Sequence, residues 1–231
     1  GGQGQGQPLS GGSHGSFLLP ETFGKNGGHS TFPHLGGLGG GRLQFKVNHT
    51  LTVDGEVTAN GGNWRSVEAG GGSGGSISIE TYTIDGVGTI DASGGNGYGG
   101  MYASHGGGGG GGRIALYYTY NYYIGTFRST GGSGGGGAEH GGAGTVYLHK
   151  LPDLLSDGQV PPDFIQNRTL YLDNMNRFPR SPLRNLTQFY TNYSLGSGVA
   201  WIFPGFYPSF VKRIFSPVDF SSDIVLDHLQ I

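Results

Sequence analysis

Apolar and polar residues alternate with a period of two in four short stretches, "GRLQFKV" (41–47), "GSISIET" (75–81), "GRIALYY" (112–118) and "GTVYLHK" (144–150). The apolar pairs are Leu43/Phe45, Ile77/Ile79, Ile114/Leu116 and Val146/Leu148. This alternation predicts half-buried β-strands. All four fit one template, Gly-x-apolar-x-apolar, behind a cluster of glycines. A second template follows the first three: "GEVTANGG" (55–62), "GTIDASGG" (88–95) and "GTFRSTGG" (125–132).

The distance between templates is nearly constant. From Leu43 to Val57 it is 14 residues, and from Ile77 to Ile90 and Ile114 to Phe127 it is 13. Between the aligned Gly41, Gly75, Gly112 and Gly144 the steps are 34, 37 and 32 residues, and the variation falls in the glycine tracts. A repeat of this length, with two short strands and tight glycine corners, predicts an all-β fold, a parallel β-solenoid in which each unit buries its apolar face on its neighbours. Burying one Ile, Leu, Val or Phe contributes ~1.5–3 kcal/mol. Ordering each residue costs ~1–2 kcal/mol, so backbone hydrogen bonds must carry much of the rest. The tracts themselves have two readings. They form solenoid corners, where glycine lets backbones approach closely, or polyglycine-II segments with three residues per turn that bond laterally to adjacent tracts.

Composition sharpens this division of labour. Of 51 glycines, 47 lie in residues 1–150 together with three prolines, whereas residues 151–231 hold four glycines and eight prolines. We therefore expect a glycine-rich solenoid over 1–150 and a smaller aromatic-rich β region over 151–231, serving as a cap or as a strand donor. Within the latter, Trp201, Phe203, Phe206, Tyr207 and Phe210 read as core before they read as a sugar-stacking platform. Glycine does not recur at every third position, which excludes collagen. The 13 Tyr and 13 Phe are too much apolar material for a solvated tail. A net charge of −2 gives no electrostatic reason to expect nucleic acid or an anionic membrane. With no cysteine there is no disulfide framework and no thiol nucleophile. No apolar run reaches the ~20 residues of a membrane span. The opening Gly1-Gly2-Gln3 reads as a processed form or a fragment.

The strings that formally match catalytic motifs are products of composition. Gly-x-Ser-x-Gly occurs around Ser13, Ser73 and Ser133, without the strand-to-helix turn its chemistry requires. Gly-x-Gly-x-x-Gly matches lack a βαβ context, and Gly24-Lys25 is followed by Asn26 instead of a Walker Ser or Thr. His14, His29, His34, His105 and His140 show no metal-ligand spacing. Asp54, Asp85 and Asp91 stand near equivalent levels of successive repeats, where an acidic line would suit glycan cleavage. Asp54-Gly55 and Asp85-Gly86 read first as turns. No catalytic residue, cofactor site or metal site is therefore assigned.

Four Asn-x-Ser/Thr sequons, at Asn48, Asn167, Asn185 and Asn192, point to a secreted glycoprotein with glycans on exposed loops. The stretches "GTIDASGGNGYGG" (88–100), "GGGGRIALYY" (109–118), "GTFRSTGG" (125–132) and "GGAGTVYLHK" (141–150) resemble the glycine-rich repeats of large eukaryotic extracellular and cell-surface proteins. The resemblance covers residues 41–150. "RTLYLDNMNR" (168–177) and "IVLDHLQI" (224–231) look like the segment that follows such repeats. It implies a right-handed parallel β-helix of pectin-lyase-like type, located outside the cell, with a structural role. A second resemblance is to the glycine-rich region of receptors of the anaplastic-lymphoma-kinase type, where polyglycine helices bundle. This chain departs from that pattern in its lack of cysteine and its strict strand-corner-strand template.

The expected function is an extracellular structural glycoprotein that builds a filament, stalk or matrix by end-to-end stacking. Its partner would be further copies of itself, and extracellular polysaccharide is a second candidate partner. A glycan-binding adhesin is the alternative, and a β-helix carbohydrate-active enzyme is the third reading.

Overall fold

Each alternating stretch becomes a strand because its apolar side chains find a like stretch one repeat away. The structure, a computed structural model, describes residues 2, 15–29, 35–100, 105–165, 167–172 and 228–230. These contain β1 (Arg42–Thr52), β2 (Glu56–Thr58), β3 (Ser76–Asp85), β4 (Thr89–Asp91), β5 (Arg113–Asn121), β6 (Thr126–Arg128), β7 (Thr145–Lys150), β8 (Arg168–Tyr171) and β9 (His228–Gln230), and no helix. Strands β1, β3, β5 and β7 pair in parallel in that order, and β2, β4 and β6 form a second parallel sheet. The result is a parallel β-solenoid of about three turns.

The repeat alignment is the strand register. Arg42 faces Ser76, Ser76 faces Arg113 and Arg113 faces Thr145, the residues directly after the four aligned glycines. The one irregular spacing also has a structural cause. In β1 the register shifts between Val47 and Thr50, from Val47 opposite Thr81 to Thr50 opposite Thr83, which inserts one residue relative to β3. That extra residue is a β-bulge, and it makes the first repeat's offset 14 instead of 13.

Between the two sheets, Ile77, Ile79, Ile84, Ile90, Ile114, Leu116, Val146 and Leu148 form the main core, with Leu43, Phe45, Leu51, Val57 and Phe127 partly buried against it. The turn between β3 and β4 requires its glycine. Gly86 sits at φ 113°, and a side chain there would meet the Val53 backbone. Past β7 the sheet changes character, because β8 pairs with β7 antiparallel and β9 pairs with β8 in parallel.

A second apolar cluster lies on the other face of the larger sheet. Phe17 packs there with Ala115, Tyr147, Leu170 and Leu172, and Leu18 and Tyr117 flank the group. The segment carrying Phe17 continues across the strands as a strap. The Tyr117 hydroxyl donates to the Leu18 carbonyl at 2.6 Å, the Ser76 hydroxyl to the Thr22 carbonyl at 2.6 Å, and Arg113 Nη2 to Thr22 Oγ1 at 2.7 Å. At its far end Glu21 meets Arg42 at 3.4 Å. Burial pushes the Tyr117 phenol up from 10.0 to about 12. A folded-state value above the unfolded one stabilises the fold below pH ~10, and that contribution disappears as pH rises through the folded value. Alkaline unfolding followed by circular dichroism should therefore steepen between these two values, and Tyr117→Phe should flatten it.

The glycine tracts are joined to other segments by lateral backbone hydrogen bonds instead of a β-ladder. In residues 70–75 the N–H groups of Gly70 and Ser73 donate to Gly28 and Lys25. Those of Gly71 and Gly74 donate to Gly107 and Gly110, and those of Gly72 and Gly75 to Gly62 and Ala59. Every third residue thus points to the same neighbour. The segment 106–112 repeats the pattern, with Gly106, Gly109 and Gly112 donating to Tyr98, Gly95 and Ala92, while Gly108 and Gly111 donate to Glu139 and Gly142. The partners of the 70–75 tract run antiparallel at 25–28 and 59–62 and parallel at 107–110. Three residues per turn is the period of a polyproline-II helix, which has no internal hydrogen bonds and leaves its N–H and C=O groups free to bond outward.

Where a tract lacks a backbone acceptor in one of its directions, a polar side chain one coil away supplies it. Asn60 Oδ1 accepts from Ser93 N at 2.7 Å and Asn63 Oδ1 from Asn96 N at 2.8 Å. One coil on, Asn96 Oδ1 accepts from Ser133 N at 2.8 Å and Ser93 Oγ from Thr130 N at 3.3 Å. These residues occupy matching places in "TANGGN", "DASGGN" and "RSTGGS". The polar residues of the second template are thus acceptors for the next coil's backbone.

Candidate functional site

Two surfaces combine exposed chemistry with a defined position in the fold. The first is the edge of the first coil. Among the described residues β1 and β2 end their sheets on one side. Leu43, Phe45, Val47 and Leu51 in β1 and Val57 in β2 are only half-buried, whereas Ile77 and Ile79 in β3 and Ile114 and Leu116 in β5 are fully buried. The bulge lies on this edge, and Asn48, His49 and Thr50, the whole first sequon, are exposed there. Lys46, paired with Glu80 at 3.2 Å, adds charge to the same strand. The bulge limits regular pairing on this edge to Arg42–Val47, the stretch before it.

The second surface lies at the C-terminal ends of β3 and β5. Tyr82 and Tyr120 meet edge to face with ring centroids 5.4 Å apart. Both hydroxyls donate to one carboxylate, Tyr82 to Asp153 Oδ1 at 3.0 Å and Tyr120 to Asp153 Oδ2 at 2.6 Å. The carboxylate holds both phenolic protons, because ionising either ring would place a second negative charge beside Asp153. Hydrogen bonding to Asp153 pushes Tyr120 up to about 12 and raises Tyr82 as well. This trio was not anticipated from the sequence. Tyr82 and Tyr120 sit at neighbouring register positions, since Thr83 faces Tyr120, so the repeat alignment brings them together. Nothing in the spacing marks Asp153 as their partner.

The other residues weighed in the sequence fall as follows. Asn167 is exposed immediately before β8; its carbonyl accepts from Lys150 N at 2.9 Å, and its Oδ1 accepts the Thr169 hydroxyl of its own sequon at 3.3 Å. Asn185, Asn192 and the aromatic stretch Trp201 to Phe210 lie outside the described residues, as do His14, His34 and Ser13.

The aspartates do not form one line. Asp85 faces Thr52, Asp91 faces Thr58 and Arg128, and Asp54 lies beyond the end of β1. Each accepts a nearby N–H instead. Asp54 bonds Val87 at 3.3 Å, Asp85 bonds Gly86 at 2.7 Å, and Asp91 bonds Ser93 at 2.9 Å. The bonds of Asp85 and Asp91 are the local turn chemistry of short acidic side chains, whereas that of Asp54 crosses to the next coil, 33 residues on.

Ser73 is buried, with its Oγ accepting from Lys25 N at 2.7 Å, and Ser133 belongs to the side-chain ladder above. His140 Nδ1 accepts from Gly134 N at 3.0 Å. Among the described residues no group of three His, Asp or Glu side chains is placed to hold a metal ion, and no helix is long and apolar enough to cross a membrane. No protein-family model, curated protein or solved structure matches this chain.

Proposed function

We propose that the chain is a non-catalytic structural module of an extracellular glycoprotein, a stiff block in a filament, stalk or matrix. On this reading the glycine tracts run as polyglycine-II helices, and the described residues up to Lys150 act as one rigid unit. The observation that carries it is the three-residue recurrence of lateral hydrogen bonds among the tracts. Such bonding turns a sequence with little side-chain core into a cross-tied frame, which suits a load-bearing or spacing role. The exposed sequons at Asn48 and Asn167 support the extracellular location.

Assembly would use the edge of the first coil, the half-buried side of the solenoid, with a second copy of this chain as partner. The opposite edge of the parallel sheet is already occupied, since β8 pairs with β7. The ladder free for strand addition is Arg42–Val47, before the bulge. Sedimentation velocity over a concentration series, on protein made in a secretory eukaryotic host, tests both parts. The expected result is concentration-dependent association together with a mass loss on glycosidase treatment. A monomer at every concentration contradicts the assembly, and an unchanged mass contradicts the compartment.

A glycan-binding adhesin is the second reading. It is favoured by Trp64, an exposed indole braced edge-on by Tyr98 at 4.9 Å, which presents a ring face of the kind sugars stack on.

A further inference from the structure

Tyrosines on the surface of a protein usually stand apart, and their hydroxyls bond to water. Tyr82 and Tyr120 are instead held against each other. Both remain open to solvent, at 42% and 38% exposure, yet their hydroxyls are gathered on the two oxygens of the Asp153 carboxylate. The two hydroxyls therefore share one carboxylate, and the rings that carry them meet edge to face with centroids 5.4 Å apart. Asp153 comes from the chain after β7, 33 residues from Tyr120 and 71 from Tyr82, so the arrangement is tertiary and not a local turn.

We propose that Tyr82 and Tyr120 are an oxidative cross-linking pair, joined by a haem peroxidase and hydrogen peroxide into an intramolecular dityrosine that ties β3 to β5. Each phenol gives up one electron to the oxidant and its proton to the Asp153 carboxylate, which passes it to water. The two phenoxyl radicals combine through the carbons ortho to their oxygens. The hydrogen on each joined carbon then moves to that ring's own oxygen, restoring two phenols. In total one carbon–carbon bond forms, the pair loses two hydrogen atoms, and one hydrogen peroxide becomes two waters.

Two features of the site serve this reaction. A base already hydrogen-bonded to the reacting proton is what proton-coupled loss of an electron needs. Holding both rings together converts an encounter between radicals into a neighbouring-group reaction. The product is a biphenol whose hydroxyls flank the new bond, and Asp153 already gathers both hydroxyls on one carboxylate. The other exposed ring nearby, Tyr122, has no such partner in the trio. The inference goes beyond the structural reading above and rests on it only for where oxidant would be met. The chemistry itself is tested on the purified chain, independently of glycans and self-association.

The full chain is treated with a haem peroxidase and hydrogen peroxide, with N-acetyltyrosine as the check that the oxidant is active. The expected outcome is dityrosine fluorescence in protein of unchanged size, and on digestion a linked peptide pair containing Tyr82 and Tyr120, two hydrogens lighter than its parts. Tyr82→Phe and Tyr120→Phe each remove that pair while leaving the circular dichroism unchanged. Asp153→Asn lowers its yield several-fold at neutral pH and makes the yield climb with pH, since hydroxide must then take the proton. A merely structural role for Asp153 would lower the yield equally at every pH. Dityrosine that never joins Tyr82 to Tyr120, no dityrosine at all, or an Asp153→Asn variant that links them as fast as the parent at every pH overturns the proposal.

Discussion

Gly72→Ala is expected to be among the most damaging single substitutions in the chain, although it adds one methyl group. A Cβ at position 72 would fall on the Leu38 carbonyl, with the Gly37 carbonyl just behind. The 37–40 segment cannot withdraw cheaply, because Gly37 and Gly40 donate to Gly70 and Ser73 at 2.9 and 2.8 Å, and the Leu38 carbonyl accepts from Gly62 at 2.7 Å. Overpacking a close-packed site costs ~1–3 kcal/mol, and here the obstacle is hydrogen-bonded backbone, so we expect the upper end, about 3 kcal/mol. For a chain of this size that lowers Tm by roughly 6–12 °C. Gly41→Ala is the matched control, because a Cβ there meets nothing within 4 Å. It should be neutral or stabilise by up to ~1 kcal/mol through the unfolded state. Thermal melts of the two variants decide the matter, and equal melting points would mean that position 72 is not packed as described.

The second large effect concerns the solenoid core. Ile114 is fully buried, with Ile77 on one side in the register and Val146 on the other. Ile114→Ala should cost about 2–5 kcal/mol, the range for a buried aliphatic truncation whose cavity cannot collapse. Leu43 holds the equivalent place in the first coil but has a neighbouring coil only on the Ile77 side and is half-buried. Leu43→Ala should therefore cost less than about 2 kcal/mol. Denaturant titration gives both values. A Leu43 truncation as severe as that at Ile114 would show that the first coil is covered in solution.

The strand register was readable from four aligned glycines because side-chain alternation leaves a period in the sequence, and Gly41, Gly75, Gly112 and Gly144 mark its phase. Even the bulge left a trace, as one extra residue between Leu43 and Val57. The bonding of the glycine tracts left almost none. A segment with no side chains has no apolar period, so nothing in "GGGGGGG" (106–112) says which carbonyl each N–H will meet. The trace that did exist lies beside the tracts, in the polar residues Asn60, Asn63, Ser93 and Asn96, whose place in the repeat is explained by the N–H groups they bond.

The strap leaves no periodic trace in the sequence for a different reason. Phe17, Leu18 and Leu19 are a short isolated apolar run, and the docking site of Phe17 and Leu18 on Ala115, Tyr147 and Leu170 is assembled from strands far apart in sequence. Asp153 likewise gained its role only through tertiary placement. Asn48 and Asn167 are both exposed, while the aspartate line dissolves once the register assigns each residue a different row.

Native-state hydrogen exchange of the 70–75 tract tests the central claim most directly. All six N–H groups, from Gly70 to Gly75, donate to other segments at 2.7–3.0 Å. The account predicts that all six are protected to about the same free energy as the amides of β3, with no weaker position among them. Exchange of these glycines at the rate of an open chain, while β3 stays protected, would show that the tract is a linker beside a solenoid and would contradict the account.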